Sequence, residues 1–411
     1  MALKKLIMRI YVKAIIASIL WVMGTLGAAS AEPADSAQSE AKSPYRVSLI
    51  TIYPGSEVFE LFGHTDLRLV TSDGIDMIFN YGVFDFNSEN FFLRFVSGET
   101  DYMCEAYPTH YLKAGYEGRR MVEQELNLTD AQVKQMWNFL VMNAQPMYRN
   151  YRYKYFSDNC STRPLNVVEE YLGGELKFAD DGERVTYRDI IHRYTKNYAW
   201  EQLGIDLLIG RDADTIINRR QKMFVPMLLM EALREETVAR DGRMEKLVTS
   251  EQVINAGSEQ GLVKGPTPTP LHPMAVLGVL LVAMVWLTVV DIGRGKVNRV
   301  ADTVLWAVAL IVGIVVWYVT FVSTHESTSP NFNAVWLHPF YVIPLVLTWV
   351  KRSKKWLTAF HALNVAALAV AAVQWPMSGQ SPNPAFFIAM GMILTRDINY
   401  LIVEKRCRKT V

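Results

Sequence analysis

The sequence predicts an α+β exported domain followed by an all-α membrane domain of five helices. Three observations carry that reading. Charged residues sit mostly before about position 250, and the long apolar runs come after about 270. Within the first half, short alternating segments separated by turn signals give way to amphipathic ones. The chain also opens on a basic run, then an apolar run, then small residues.

That opening supplies the first element. Lys4, Lys5, Arg9 and Lys13 form a basic region, Ala14 to Ala28 an apolar one, and Ala29-Ser30-Ala31 a cleavage site, so residues 1–31 are expected to be a signal peptide. The polar stretch EPADSAQSEAKSP, residues 32–44, is expected to be a disordered leader. The exported domain follows over 45–248. YRVSLITIY is β-rich, and HTDLRLV puts Leu67 and Leu69 on one face and Asp66 and Arg68 on the other. TSDG is a turn, IDMIFNYGVF another strand, and VEQELNL a further one. Thr129 caps the helical run DAQVKQMWNFLVMNA. A second helix is expected from near Cys160 to Gly173-Gly174, and a third over about 226–240. Residues 249–272 read as a linker whose end, KGPTPTPLHP, is a Pro-rich tether.

Five apolar segments follow, at roughly 273–290, 303–322, 334–350, 356–373 and 384–403, each near the ~20 residues that span a bilayer core. Loop charge orients them. Arg294, Lys296 and Arg299, then Lys351, Arg352, Lys354 and Lys355, then Lys405, Arg406, Arg408 and Lys409 alternate with two loops that carry no Lys or Arg. Basic loops stay inside, so residues 32–272 are expected outside the membrane and the C-terminus in the cytoplasm. The net charge of +1 argues against nucleic acid as a partner.

The stretch FSDNCSTRP, residues 156–164, holds the candidate nucleophile. Asp158 or Asn159 suits a helix N-cap, which places Cys160 in the first turn, where free N–H groups and the helix dipole stabilise a thiolate. Such a thiolate needs a base, and His64, beside Gly63 at the start of a strand, is the best-placed histidine. Asn80 is the candidate for orienting the ring, with Asp66 and Asp158 as alternatives. A competing reading pairs Cys104 with Cys160 in a disulfide. No CxxC or HxxxH spacing points to a metal, and no GxSxG elbow to a serine hydrolase; no cofactor is expected. His325, Glu326, Asn331 and Asn333 lie in an outward loop, where polar groups suit a lipid headgroup.

Five segments, PGSEVFELFGHTDLRL, FNYGVFDF, FVSG, YRYKYFSDNCSTRP and GIDLLIGRDAD…MFVPMLLMEAL, resemble in order and spacing the Lnb-type periplasmic domain over about 45–240. The C-terminal half resembles the multi-span module fused to some members. The resemblance implies a circularly permuted papain-like fold, related to the NlpC and lecithin:retinol acyltransferase-like group, with Cys160 and His64 as its catalytic pair. It implies transfer of an acyl chain from the lipid-modified cysteine of a lipoprotein to that cysteine's amino group, leaving a lyso-form. Arg163 matches an arginine that recurs after the cysteine motif, while Arg211 stands where a smaller or proline-containing turn is more usual. Arg163, Asp158, Asn331 and Asn333 are the candidate substrate-binding residues, and membrane lipids or lipoproteins the expected partners. Two other readings compete. A cysteine peptidase or amidase acting on cell-wall peptide would show a polar groove, and a non-enzymatic receptor or assembly factor would show a Cys104–Cys160 disulfide.

Overall fold

Alternating apolar residues in the first half build a sheet. The computed structural model describes residues 45–85, 88–173, 176–240 and 242–409, so the expected signal peptide and leader lie outside the described residues. β1 (Arg46–Ile52), β2 (His64–Val70), β3 (Asp76–Val83), β4 (Asp101–Pro108), β5 (Arg120–Leu126), β6 (Asn150–Arg152) and β9 (Val248–Ala256) form one sheet. Its order is β6-β4-β3-β2-β1-β5-β9, with every pairing antiparallel. β7 (Thr237–Arg240) and β8 (Arg243–Lys246) make a separate hairpin.

Strand parity divides the sheet's two faces. Val47, Leu49, Leu67, Leu69, Phe79 and Tyr81 pack in one core with Met136 and Leu140 of the Asp130–Asn143 helix, Leu165 and Val168 of Thr162–Leu172, and Leu229 and Leu233 of Pro226–Glu235. Each such side chain contributes about 1.5–3 kcal/mol on burial. Ile50, Ile52 and Ile78 belong to a second, smaller cluster with Leu112 and Met121. The expected helix over 226–240 stops at Glu235, because Glu236 is extended and β-branched Thr237 and Val238 open β7.

Two expectations for the second half change. The expected 249–272 linker begins as sheet: β9 pairs with β5 over Val248–Ala256. Its proline-rich end is strapped down. Thr267 N–H donates to Asn197 O at 3.1 Å, Asn197 Nδ2 to Lys264 O at 3.0 Å, and Trp200 Nε1 to Leu271 O at 2.8 Å. Among the described residues the five expected spans are four helices long and apolar enough to cross a membrane, Pro273–Arg294, Arg299–Phe321, Lys354–Met377 and Pro384–Arg406, plus a shorter apolar stretch, Asn333–Leu347. That stretch is broken into Asn333–Trp336, Pro339–Tyr341 and Val342–Leu347, since Pro339 and Pro344 each remove a backbone donor. The loops on either side of the broken stretch and the Lys354–Gln374 helix, 322–333 and 375–383, both touch the soluble domain. The broken stretch therefore brings the chain back to the far end of the helices.

Polar side chains lock the membrane helices together. Arg396 is fully buried, and its guanidinium donates to Asp291 Oδ2 at 2.7 Å, Asp302 Oδ1 at 2.6 Å and Thr288 Oγ1 at 3.1 Å. Nearby, Asp397 bonds His361 and Asn364, and Asn364 Oδ1 faces His338 Nε2 at 3.3 Å. Buried charges of this kind are tolerated only when paired. Arg396→Ala strands two carboxylates, so it is expected to destabilise the detergent-solubilised protein by about 3–5 kcal/mol. Adding Asp291→Asn and Asp302→Asn is expected to restore part of that loss, read as the unfolding midpoint by intrinsic fluorescence.

Candidate active site

The sheet and one helix start converge at the end of β2. His64 opens that strand, and Asp66 shares its face two residues on. β2 and β3 are in a register that sets Asp66 opposite Asn80. The three side chains therefore meet: His64 Nε2 lies 3.0 Å from Asn80 Oδ1 and 3.2 Å from Asp66 Oδ1. Both neighbours are acceptors, so Nε2 carries a proton. Asn80 is itself held, its Nδ2 donating to Tyr116 Oη at 3.1 Å, and the Tyr116 ring stacks on His64 at 5.8 Å.

Cys160 completes the group. Asn159 is the residue that caps this helix. Its Oδ1 accepts from Ser161 N–H at 2.8 Å and Thr162 N–H at 2.9 Å, and its carbonyl accepts from Arg163 N–H at 3.0 Å. Asp158, the other capping candidate, instead forms a two-pronged pair with Arg163, at 2.8 and 2.7 Å. β3 bulges where it passes the thiol, with Gly82 at φ +94°, and a Cβ there would sit 3.2 Å from the Cys160 Cβ. Only glycine suits both the conformation and the closeness.

Cys160 and Asp66 together govern the imidazole. Burial alone would favour the neutral ring, but charge and hydrogen bonding from Asp66 and Cys160 overcome it and raise His64 to about 10. With Nε2 committed to Asn80 and Asp66, Nδ1 is the nitrogen left for the sulfur. The ring is then an imidazolium at neutral pH, positioned to pair with a thiolate. Asp66 is fully buried, and its second oxygen, Oδ2, has no hydrogen-bond partner.

The surroundings of the thiol are aromatic. Burial, with the Cys160 charge adding to it, pushes Tyr102 up to about 12 and Tyr153 and Tyr155 well above the usual phenol range. Cys104 and Cys160 are both free thiols, which removes the disulfide reading. Cys104 is fully buried in the sheet core, and burial pushes it up to about 12.

The other candidate residues have different partners. Arg163 is taken by Asp158, and its guanidinium lies 3.8 Å over the Tyr151 ring. The two asparagines expected to bind a headgroup do not reach the site. Asn331 Nδ2 donates to the Leu207 and Leu208 carbonyls, and Asn333 Nδ2 to those of Asp206 and Leu207, all at 3.0–3.1 Å, and both residues are buried. They satisfy the last turn of the Ala199–Leu208 helix, whose carbonyls have no helical donors of their own. Asp206 in that turn bonds Arg188, His192 and Asn383.

Glu326 lies in the outward loop whose polar groups suit a headgroup. Its carboxylate accepts from Phe156 N–H at 3.1 Å, from Ser157 N–H at 3.2 Å and from the Ser157 hydroxyl, gripping the loop that leads into Cys160. Its only signal in the sequence was an acidic residue in a loop otherwise free of charge apart from His325.

A family model described as the Lnb N-terminal periplasmic domain matches residues 32–195. A second, the Lnb transmembrane domain, matches residues 266–408. No curated protein and no solved structure matches the chain.

Two outcomes follow from this geometry. A group whose folded pKa is raised stabilises the fold below its unfolded value and loses that effect as pH climbs through the folded one. The stability advantage of the native protein over His64→Gln is therefore expected to be full below about pH 6.5. It is expected to fade as pH rises towards 10, as read by denaturant unfolding across a pH series. Glu326→Ala should free the Phe156 and Ser157 amides, so deuterium exchange over 156–158 is expected to rise while exchange in β1 and β2 holds.

Proposed function

The chain joins an Lnb N-terminal periplasmic domain to an Lnb transmembrane domain, so it is an inner-membrane member of the Lnb family, and on that premise we propose that it is a thiol acyltransferase. Its C-terminus is cytoplasmic, as the alternating loop charge indicates. The acyl donor is a lipid ester, and the reaction is N-acylation within a lipoprotein, leaving a lyso-form. The single observation that carries this reading is the Cys160–His64–Asn80 group, bordered by tyrosine rings and gripped from the membrane half by Glu326. An aromatic surround next to a loop of the membrane half suits an acyl chain. A peptidase site would need polar and charged walls to hold a peptide backbone.

The chemistry follows from the pair. The Cys160 thiolate attacks the ester carbonyl carbon. Asn159 occupies the N–H groups of Ser161 and Thr162, so the Cys160 N–H is the helix-start donor that stands outside this set and can face the oxyanion. Collapse of the tetrahedral intermediate breaks the C–O bond. The leaving glycerol oxygen takes the proton from His64, whose cation loses its thiolate partner as the thioester forms. The neutral ring then accepts a proton from the attacking amine, the C–N bond forms, and the C–S bond breaks to restore thiolate and imidazolium. Asn80 and Asp66 hold the ring through both steps. The His-before-Cys order fits a permuted papain-like arrangement, in which the roles converge in space rather than along the chain.

Mass spectrometry of lipoprotein N-termini and phospholipids, with and without the protein, tests the reaction. Cys160→Ala and His64→Ala should each abolish nearly all turnover, and the double variant should be little worse than either. Asn80→Ala is expected to slow turnover by less. A hydroxylamine-labile acyl adduct should map to Cys160. Full lipoprotein N-acylation by Cys160→Ala in a strain lacking the native copy would overturn the proposal.

A further inference from the structure

A short helix beside the site presents large apolar side chains to the outside. In Phe91–Val96, Phe92 is 74% exposed and Leu93 71%. Such exposure on a soluble surface is costly unless something apolar covers it. The position of the helix identifies the cover. Ser97, its C-cap, bonds Tyr318 Oη at 2.7 Å, and Tyr318 lies in the last turn of the Arg299–Phe321 membrane helix. Gly98, at φ +80°, packs so tightly on the backbone of Thr324 and His325 that a Cβ would overlap it. His325 Nε2 donates to Phe95 O at 2.6 Å. The helix is thus pinned at the height where a membrane helix ends, beside exposed Phe321 and Val322.

A row of rings runs inward from it. Phe92 contacts Phe91 at 5.6 Å, Phe91 contacts Phe84 at 6.0 Å, Phe84 contacts Tyr102 at 4.9 Å, and Tyr102 contacts Tyr153 at 4.4 Å. Tyr153 and Cys160 both back onto Gly82. Phe59, 61% exposed, flanks the row at 5.8 Å from Phe84. The row therefore connects the exposed helix to the thiol. A cavity of about 180 Å³ beside the helix is lined by Phe91 and Tyr102 of the row and also by the charged Asp85, Arg94, Glu99 and Asp101.

We propose that the Phe91–Val96 helix dips into the periplasmic leaflet and that the Phe91–Phe84–Tyr102–Tyr153 row guides one acyl chain of a membrane-anchored lipid ester, that of the lipoprotein included, to Cys160. This rests on the thioester reading for its purpose but not for its test. Aromatic and aliphatic side chains at the end of a span settle among acyl chains and headgroups, and the exposed pair supplies that apolar face. The ring row gives a saturated chain a continuous apolar wall.

The full-length protein is reconstituted in vesicles of phosphatidylethanolamine and phosphatidylglycerol containing a phosphatidylethanolamine with a diazirine on one acyl chain. After illumination, lipid adducts are mapped by peptide mass spectrometry. Adducts within 84–102, besides those on the membrane helices, are expected. Adducts confined to the membrane helices would overturn the proposal, whether the exposed face met water or another protein. Phe92→Ser with Leu93→Ser should cut the 84–102 adducts about tenfold, and should lower by a similar factor the ratio of Cys160 acylation by a sixteen-carbon donor to acylation by a two-carbon ester. An unchanged adduct yield in that variant would also overturn it. Adducts in 84–102 with no acyl group ever found on Cys160 would leave this helix as a lipid site and remove the acyltransferase reading instead.

Discussion

The last turn of the Ala199–Leu208 helix exposes carbonyls that its own backbone cannot satisfy, and the membrane half satisfies them. Asn331, Asn333 and Gln380 donate side-chain amides to the carbonyls of Asp206, Leu207, Leu208 and Ile209, while Asn383 reaches the Asp206 carboxylate. A buried helix end without donors costs free energy for every stranded carbonyl. Neither half completes this junction alone. The rest of the arrangement depends on it, because it sets where loop 322–333 lies, and Glu326 of that loop holds the segment before Cys160.

The electrostatics of the site follow from a second constraint, the buried Asp66 carboxylate. It sits on the sheet with one oxygen on His64 and the other without a partner. A carboxylate so placed favours a cation next to it, and the imidazole is the group that can become one. Asn80 contributes direction rather than charge: its amide oxygen fixes Nε2, and its amide nitrogen is anchored on Tyr116. Tyr116 in turn carries Arg119 over its ring at 5.2 Å, so the orientation of one imidazole is backed by a stack of two side chains.

Much of this was legible in the chain because it is local. The alternation in HTDLRLV placed His64 and Asp66 on one strand face, and TSDG, whose turn closes with Thr71 N–H on Ile75 O, brought Asn80 back beside them. DNC announced a helix start, though Asn159 rather than Asp158 does the capping. What could not be read depends on distant partners. Val248–Ala256 looks like linker because its burial is one-sided and thin, and only pairing with β5 makes it a strand. Asn331 and Asn333 looked like ligands because polar residues in an outward loop usually face water, whereas here a helix end from the other half claims them. The third membrane segment has the composition of a span, and its two prolines decide its shape.

The strapped tether has a kinetic meaning. Residues 264–272 are tied to Asn197, Tyr198 and Trp200, and the soluble domain also bonds the membrane half through Glu326 and Asn331. A domain fixed in this way does not sample the periplasm. For the proposed reaction, encounter is confined to two dimensions, so the relevant concentration is the mole fraction of donor in the leaflet, not its amount per litre. Diluting the donor with inert lipid would slow the reaction, and diluting the vesicles in buffer would not. A lipoprotein already extracted towards another membrane would be beyond reach, so the proposed modification would precede departure.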